Sequence, residues 1–399
     1  MARSRGWLRT SRLAMAAKQL VRRGGEWLAA RRAATPGWRP RVLFEVYNSI
    51  GFAAQEPVIR ALLERGGVEV HVAGAKAPGI SAERFQQLAR LGVRHHSVAQ
   101  ARHRRFDAII VTHRLMVRHW RTIRYVFLHH GSSFGNHVEN FAFWLLRNRE
   151  VGFLLALHRT EVLRVQTMLG EQVRGRVRAV GQPKLDRLVA KAHSRRDVLM
   201  SMGLDPGRTT VLFLSHWQPT SLLRTCGEEV LRFFQGRRDL NVLVTGHPVL
   251  WEPDGSGSRI DWPARLAWVA DEPHMRLLPD FDDVGALMAA ADLAVSDHSS
   301  ATFECAVLFR PLVVFRHPEH PFGDPELDSL LGQTATVFSD VSQFRSAFDR
   351  AQLEGKVDRL GRSKLVDYCF EHVGTSGIHA AMAVEEIARC GSLAETGGE

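Results

Sequence analysis

The stretch from Val295 to Phe315, VSDHSSATFECAVLFRPLVVF, decides the fold of this chain. An opening apolar run gives way to a small polar cluster at 296–300, a helix-like stretch at 301–309 and a second apolar run at 312–315. This order predicts strand, turn, helix and strand, which is half of a doubly wound α/β sheet. The cluster falls where the strand ends and the helix begins, and unpaired backbone N–H groups there favour an anion. The simpler interpretation is that Ser299 is only a helix cap.

Length and composition indicate a globular protein with room for two α/β domains. The chain has 399 residues, of which 45% are hydrophobic and 24% are charged. Its four cysteines are scattered without the spacing of a metal site or a disulfide framework, which fits a reducing cytoplasm. The sequence contains no run of 18 apolar residues, so we predict no membrane-spanning helix.

The positive charge is concentrated at the amino-terminal end. Residues 1–41 contain eleven Arg or Lys and one acidic residue, whereas the remainder contains 42 basic and 41 acidic residues. Residues 1–35 are predicted to form one or two amphipathic helices, and an apolar face is offered by Leu13, Ala17, Leu20, Trp27 and Leu28. Trp and Arg on such a helix suit an anionic membrane surface. A disordered basic arm and an RNA-binding tail are the alternatives.

Strands and helices alternate from residue 41 onward, which predicts parallel sheets with right-handed crossovers. The strand-like runs are 42–46, 68–73, 108–111, 125–128, 153–157, 210–214, 241–245 and 275–278, and a further short strand ends at Gly181. We expect a basic extension at 1–40, a Rossmann-like domain at 41–195 and a second one at 196–399 that includes a closing helix at 375–390. The motif G-x-G-x-x-G is absent from the sequence, which argues against a nicotinamide or flavin dehydrogenase.

Polar residues follow three of the predicted strands. His129, His130 and Gly131 follow the run at 125–128, and His247 follows the run at 241–245. The cluster at 296–300 follows a third. Carboxyl ends of strands from two such domains face one another across a cleft, where ligands bind. The alternative for an isolated histidine at a strand end is a core residue with its hydrogen bonds satisfied.

Four motifs occur in order along the chain: HHGS at 129–132, GQPKLD at 181–186, GHP at 246–248 and SDHSSATFE at 296–304. Together they resemble the CDP-glycerol glycerophosphotransferases, which include the teichoic-acid primases and polymerases. The pattern of that family is a W-H-G-T-like segment, G-x-P-R-x-D, H-P and T-D-Y-S-S-x-x-F-D. The resemblance extends over about residues 41–390. It implies a GT-B architecture, in which two Rossmann-like domains hold a nucleotide in their cleft.

The resemblance also implies roles for individual residues. His130 is expected to be the general base, since an ordinary histidine pKa of about 6.5 suits proton transfer near neutrality. His247 is the second catalytic candidate, and Glu304 is expected to accept hydrogen bonds from ribose hydroxyls. The expected donor and phosphate-binding residues are Gly131, Ser132, Gly181, Pro183, Lys184, Asp186, Pro248, Asp297, His298, Ser299, Ser300 and Glu304. The chain departs from the family pattern at His129, Ser132, His298 and Glu304.

We therefore predict a transferase that moves glycerol phosphate, or a related alditol phosphate, from a CDP-linked donor and releases CMP. The acceptor would be a hydroxyl of a membrane-associated cell-envelope glycan or of a lipid-linked molecule. We expect the enzyme to be cytoplasmic and peripheral on the inner face of the cell membrane, held there through residues 1–35, without a nucleic-acid partner. We predict neither a metal nor a cofactor.

Three alternatives remain open at this stage. The first is a GT-B glycosyltransferase that uses a nucleotide-sugar, and the second is an enzyme similar to the UDP-sugar 2-epimerases. The third is a non-catalytic protein that binds polyanions. The sequence does not separate glycerol phosphate from ribitol phosphate, and it leaves the oligomeric state open.

Overall fold

The structure is a computed structural model that describes most of the chain beyond residue 34. It describes residues 35–46, 48–74, 86, 88–112, 124–131, 144–145, 152–190, 194–252, 260–279, 281, 283–319, 324–354, 359–390 and 393. The predicted basic segment up to residue 34 and the candidate Ser132 lie outside these residues.

The first half of the chain forms one parallel sheet of seven strands, in the order β3-β2-β1-β4-β5-β6-β7. The strands are β1 Arg41–Glu45, β2 Glu69–Ala73, β3 Arg94–His96, β4 Ala108–Val111, β5 Tyr125–Leu128, β6 Gly152–Ala156 and β7 Val177–Ala179. Strands β4 and β5 read AIIV and YVFL, and every residue in them is buried. Continuous apolar strands of this kind form because both faces of a parallel sheet are covered.

The second half forms a parallel sheet of six strands, in the order β10-β9-β8-β11-β12-β13. The strands are β8 Thr209–Ser215, β9 Leu240–Gly246, β10 Met275–Leu277, β11 Leu293–Ser296, β12 Leu312–Phe315 and β13 Thr336–Phe338. The two sheets therefore have the same winding, and the predicted fold class of two Rossmann-like α/β units is confirmed.

Helices cover the faces of both sheets. In chain order they are α1 Ser49–Arg65, α2 Val98–Arg102, α3 Arg159–Leu169, α4 Lys184–Val189, α5 Arg195–Ser201, α6 Glu228–Gln235, α7 Pro248–Trp251, α8 Trp262–Arg265, α9 Val284–Ala290, α10 Ser300–Ala306, α11 Pro325–Thr334, α12 Val341–Glu354, α13 Arg359–Cys369 and α14 Ser376–Cys390. A π-helical turn at Leu223–Gly227 precedes α6, and short 3-10 turns lie at Gly170–Val173 and Ala267–Asp271. None of the helices in the described ranges is long and apolar enough to cross a membrane.

The closing helix α14 packs on the first sheet, although it follows the second in sequence. Its buried residues Ala380, Val384 and Ile387 belong to the same core cluster as Phe44 and Leu62. We expected this helix to be part of the second domain at 196–399, and the structure places it elsewhere. The sequence shows that the helix is amphipathic, but an apolar face does not specify which of two cores it covers.

The stretch that opened the sequence analysis folds as strand β11, helix α10 and strand β12, as predicted. The helix is shorter than expected, because it ends at Ala306 rather than at Phe309. Phe309 has a left-handed backbone (φ 54°), which turns the chain into Arg310 and Pro311. Proline also disfavours helical geometry in the residue before it, so Arg310 could not have continued the helix.

In each sheet the winding reverses between two adjacent strands, β1 and β4 in the first and β8 and β11 in the second. Ligands of open α/β sheets bind outside the carboxyl ends of the strands at such a switch point. In the second sheet these ends are Ser215 and Ser296. The polar cluster at 296–300 therefore lies at the position where open α/β sheets bind their ligands.

Candidate active site

The two adjacent histidines after β5 have different environments. His129 is buried, and its Nε2 lies 2.8 Å from the carboxylate of Glu161. The other oxygen of Glu161 accepts a hydrogen bond from the backbone N–H of Leu157. His130 is half-buried at the carboxyl edge of the sheet. His129 is therefore the core histidine, and His130 is the more exposed of the two.

Gly131 brings this loop against the second half of the chain. A Cβ atom built on Gly131 would lie 2.9 Å from Ser300 Oγ, in the first turn of α10. Such a distance is shorter than real Cβ contacts, so the backbone approaches α10 closely because residue 131 has no side chain. The structure thus brings together two motifs that are far apart in sequence, HHG at 129–131 and the serines that begin α10.

Asp297 holds the switch point of the second sheet together. Its carboxylate is fully buried and accepts hydrogen bonds from Ser215 Oγ at 3.0 Å and from the backbone N–H groups of His216, Leu222 and Ser299. These donors belong to the loop after β8 and the loop before α10. Asp297 therefore fixes both loops that border the site, and its oxygens are occupied by protein donors.

Three imidazole rings lie together near the loops that Asp297 connects. The ring centroid of His216 is 5.1 Å from that of His298 and 5.8 Å from that of His247. All three rings also hold local structure. His216 Nδ1 accepts from the N–H of Gln218, His298 Nε2 contacts Gln218 Oε1, and His247 Nδ1 accepts from the N–H of Val249 in α7. Imidazole and hydroxyl groups at a strand edge can donate hydrogen bonds to phosphate oxygens.

His216 is a site residue that sequence reasoning did not select. The sequence showed that His216 follows a strand, but no motif includes it. Its importance comes from strand order, because β8 lies next to β11 in the sheet. The order of strands in the sheet would have been needed to group His216 with His298.

Two of the predicted donor-binding residues form an ion pair between the two halves. Lys184 Nζ, at the start of α4, lies 2.6 Å from Glu304 Oε1 in α10. Glu304 is almost entirely buried. Burial raises the pKa of Glu304, and the ammonium group of Lys184 offsets part of that rise. Ribose binding by Glu304 stays a prediction, and in this structure its carboxylate contacts Lys184.

Gly181 and Asp186 contact the start of α14. Gly181 has a left-handed backbone (φ 80°), and a Cβ atom there would lie 2.0 Å from the carbonyl oxygen of Glu371. Asp186 accepts hydrogen bonds from the backbone N–H groups of Ser376 and Gly377, at 3.0 and 2.7 Å. Asp186 therefore caps α14 from a distant part of the chain. Donor binding by Gly181 and Asp186 stays a prediction.

The remaining candidates begin helices. Pro183 precedes α4, Pro248 is the first residue of α7, and Ser299 caps α10 by accepting from the N–H of Ala301. Ser299 is thus a helix cap. Across the described ranges, no group of three or more His, Cys, Asp or Glu side chains is arranged to hold a metal ion.

This fold defines a class, the α/β proteins built from two Rossmann-like units, which bind their ligands outside the carboxyl ends of the strands. Residues 104–320, more than half of the chain, match the family described as CDP-glycerol:poly(glycerophosphate) glycerophosphotransferase. The chain belongs to this family, and it is a glycerophosphotransferase enzyme.

Solved structures share the fold at low sequence identity. A variant of the wall teichoic acid polymerase TagF matches with a TM-score of 0.62 at 13% identity, over 98% of this chain and 98% of that chain. A UDP-GlcNAc 2-epimerase from Methanocaldococcus jannaschii matches with a TM-score of 0.53 at 11% identity, over 86% and 98%. A glycosyltransferase from Rickettsia africae matches with a TM-score of 0.51 at 10% identity, over 89% and 100%. These likenesses establish the GT-B-like fold. Among curated proteins, no sequence matches the chain significantly.

Proposed function

We propose that this enzyme transfers glycerol phosphate from CDP-glycerol to a hydroxyl of a membrane-associated cell-envelope glycan or lipid-linked acceptor, and that it releases CMP. The contact between Gly131 and Ser300 is the observation that carries the proposal. It puts His130, the proposed base, beside the helix that begins with the proposed phosphate-binding serines. Base and donor would then meet at one place between the two sheets.

The donor's pyrophosphate would bind at the switch point of the second sheet. The rings of His216, His247 and His298 converge there, and the hydroxyls of Ser299 and Ser300 lie on the adjoining turn. Each of these groups can donate a hydrogen bond to a phosphate oxygen, and a protonated imidazole adds positive charge. One of the similar TagF structures is of a variant soaked with CDPG, which is the donor that we propose here.

The proposed reaction is a single displacement at phosphorus. The acceptor hydroxyl oxygen attacks the phosphorus atom that carries glycerol, while the bond from that phosphorus to the oxygen bridging to CMP breaks. The hydroxyl proton passes to His130, and CMP leaves with the bridging oxygen. The protein takes little part in covalent chemistry. The rate enhancement therefore comes from positioning of the reactants and from neutralisation of phosphate charge. General base catalysis by His130 adds a factor of about 10²–10⁴.

We propose that the buried charged residues around the site keep its loops and helices in position. Asp297 orders the two loops that border the pyrophosphate position, and the pair of Lys184 and Glu304 joins α4 to α10. Buried ion pairs contribute little net stability, but breaking one leaves a buried charge and costs several kcal/mol. A change at one member should therefore disturb the alignment of the two halves.

The basic segment at the amino-terminal end is proposed to hold the enzyme on the inner face of the cell membrane. Residues 1–41 carry ten more positive than negative charges, whereas the rest of the chain carries only one more. Each basic residue near an anionic bilayer contributes about 1 kcal/mol. Deletion of residues 1–35 should release the protein from sedimenting anionic vesicles, and a truncated protein that still sediments with them would exclude this anchor.

A panel of donors tests the proposed function. The purified enzyme would be incubated with an acceptor and, separately, with CDP-glycerol, CDP-ribitol and nucleotide-sugars, and the nucleotide products would be separated by chromatography. We expect CMP from CDP-glycerol. Release of a nucleoside diphosphate from a nucleotide-sugar, with CDP-glycerol unused, would instead support a glycosyltransferase.

A further inference from the structure

The side chain of Gln182 forms hydrogen bonds to the backbone on both sides of His130, the proposed base. The side chain is completely buried. In the amide orientation that satisfies both neighbours, its nitrogen donates to the carbonyl oxygen of His129 at 3.1 Å and its oxygen accepts from the N–H of Gly131 at 3.2 Å. These two backbone groups lie immediately before and after His130. A single side chain therefore holds the loop on both sides of the histidine.

The turn that carries Gln182 is itself fixed to both halves of the protein. Gly181 lies against the backbone of Glu371, in the segment that leads into α14. Two residues after Gln182, Lys184 reaches across to Glu304 in α10. The turn at 181–184 thus contacts the base loop through one side chain and the donor-side helix through another.

We propose that Gln182 is a positioning residue, which sets the place of His130 relative to α10 and so relative to the donor phosphate. This inference rests on the proposed function, because it needs His130 to be the base. The physical reason is geometric, since a displacement of about 1 Å at a reacting group can cost a factor of 10² in rate. Gln182 contacts backbone groups of the base loop, so its loss should impair turnover more than donor binding.

The first test replaces Gln182 by Met, which keeps the approximate volume and removes both hydrogen bonds. Turnover of Gln182→Met with CDP-glycerol and acceptor should fall about 10- to 100-fold. The Kd for CDP-glycerol, measured by calorimetry without acceptor, should stay within about twofold of the wild type. The matched control is Gln172→Met, since Gln172 is exposed on a 3-10 turn and should tolerate the change.

The second test uses Gln182→Glu, which has nearly the same shape. A protonated carboxyl can donate to the His129 carbonyl and accept from the Gly131 N–H, as the amide does, whereas a carboxylate can only accept. We therefore compare the turnover of Gln182→Glu with wild-type turnover at the same pH. This ratio should rise as the pH is lowered from about 8 to about 6. In protein that circular dichroism shows to be folded at both pH values, a role limited to packing would not produce this dependence, and Gln172→Glu should show none.

The outcomes separate this inference from the proposed function. A folded Gln182→Met variant with wild-type turnover would overturn the inference, and so would a pH-independent activity ratio for Gln182→Glu. If Gln182→Met does not fold, as judged by circular dichroism, the pH dependence of Gln182→Glu decides the matter. His130→Ala is measured in parallel. Wild-type turnover in that variant would contradict the proposed base and the inference with it, whereas an inactive His130→Ala beside a fully active Gln182→Met would contradict the inference alone.

Discussion

Gly131 follows a strand of the first sheet and Ser300 follows a strand of the second, yet a Cβ atom placed on Gly131 would lie 2.9 Å from Ser300 Oγ. A methyl group at residue 131 must therefore displace the serine hydroxyl. Gly131→Ala should weaken CDP-glycerol binding by about as much as Ser300→Ala, because one hydrogen bond to a charged phosphate is worth about 1.5–3 kcal/mol. Binding would be measured by calorimetry.

The double variant Gly131→Ala, Ser300→Ala provides the control for this prediction. Both single changes act through the same hydroxyl, so the double variant should bind the donor no more weakly than either single variant. Additive losses would show that Gly131 acts independently of Ser300.

The neighbouring histidines of the base loop should respond differently to substitution. His130→Ala should lower kcat by about 10²–10⁴ and leave the Kd for CDP-glycerol nearly unchanged. His129→Ala should lower the free energy of unfolding by on the order of 3 kcal/mol, because it leaves the buried carboxylate of Glu161 without its partner. Steady-state kinetics and urea unfolding distinguish the two effects. The assignment would be reversed if His129→Ala were stable and inactive while His130→Ala remained active.

His216 should contribute to donor binding, although no motif includes it. Its ring lies within 6 Å, centroid to centroid, of the rings of His247 and His298. His216→Ala should raise the KM for CDP-glycerol about tenfold or more, which corresponds to the loss of one hydrogen bond to a charged group. His103→Ala is the control, since His103 is an exposed histidine that ends α2. An unchanged KM in His216→Ala would remove this residue from the donor site.

Asp186 should make the stability of the protein depend on pH. Burial raises the pKa of Asp186 to about 6, although the N–H groups of Gly377 and Ser376 act in the opposite direction. The folded protein therefore binds a proton more readily than the unfolded chain between about pH 4 and pH 6, given an ordinary aspartate pKa of about 3.9. The free energy of unfolding should fall as the pH rises through this window, by on the order of 3 kcal/mol from this group.

Urea unfolding of the wild type and of Asp186→Asn at several pH values measures this contribution. Asparagine does not titrate, so the free energy of unfolding of the variant should not fall in this way between about pH 4 and about pH 6. Identical pH profiles for the two proteins would show that another group is responsible.

Much of the fold follows from local sequence patterns. The apolar runs that became β4, β5 and β8 are fully or almost fully buried, and in each case chain order alone indicated a parallel sheet. The short strands β3 and β13 were not predicted. Each has three residues and only partial burial, which leaves too weak a pattern to detect.

The contacts that shape the site could not be predicted because they join residues far apart in sequence. Asp297 bonds to a loop about eighty residues earlier, and Asp186 caps a helix 190 residues later. Motifs identified the polar residues but not their partners. Strand order and the path of α14 determine which residues are neighbours, and both are properties of the whole fold.

The fate of the phosphate bonded to glycerol tests the central claim most directly. CDP-glycerol carrying radioactive phosphorus in that phosphate would be incubated with enzyme and acceptor, and the products would be separated by chromatography. The account predicts that the label moves to the acceptor while unlabelled CMP accumulates in equal amount. Label that is released as CDP, with unphosphorylated glycerol on the acceptor, would contradict transfer at phosphorus and with it the mechanism proposed for His130.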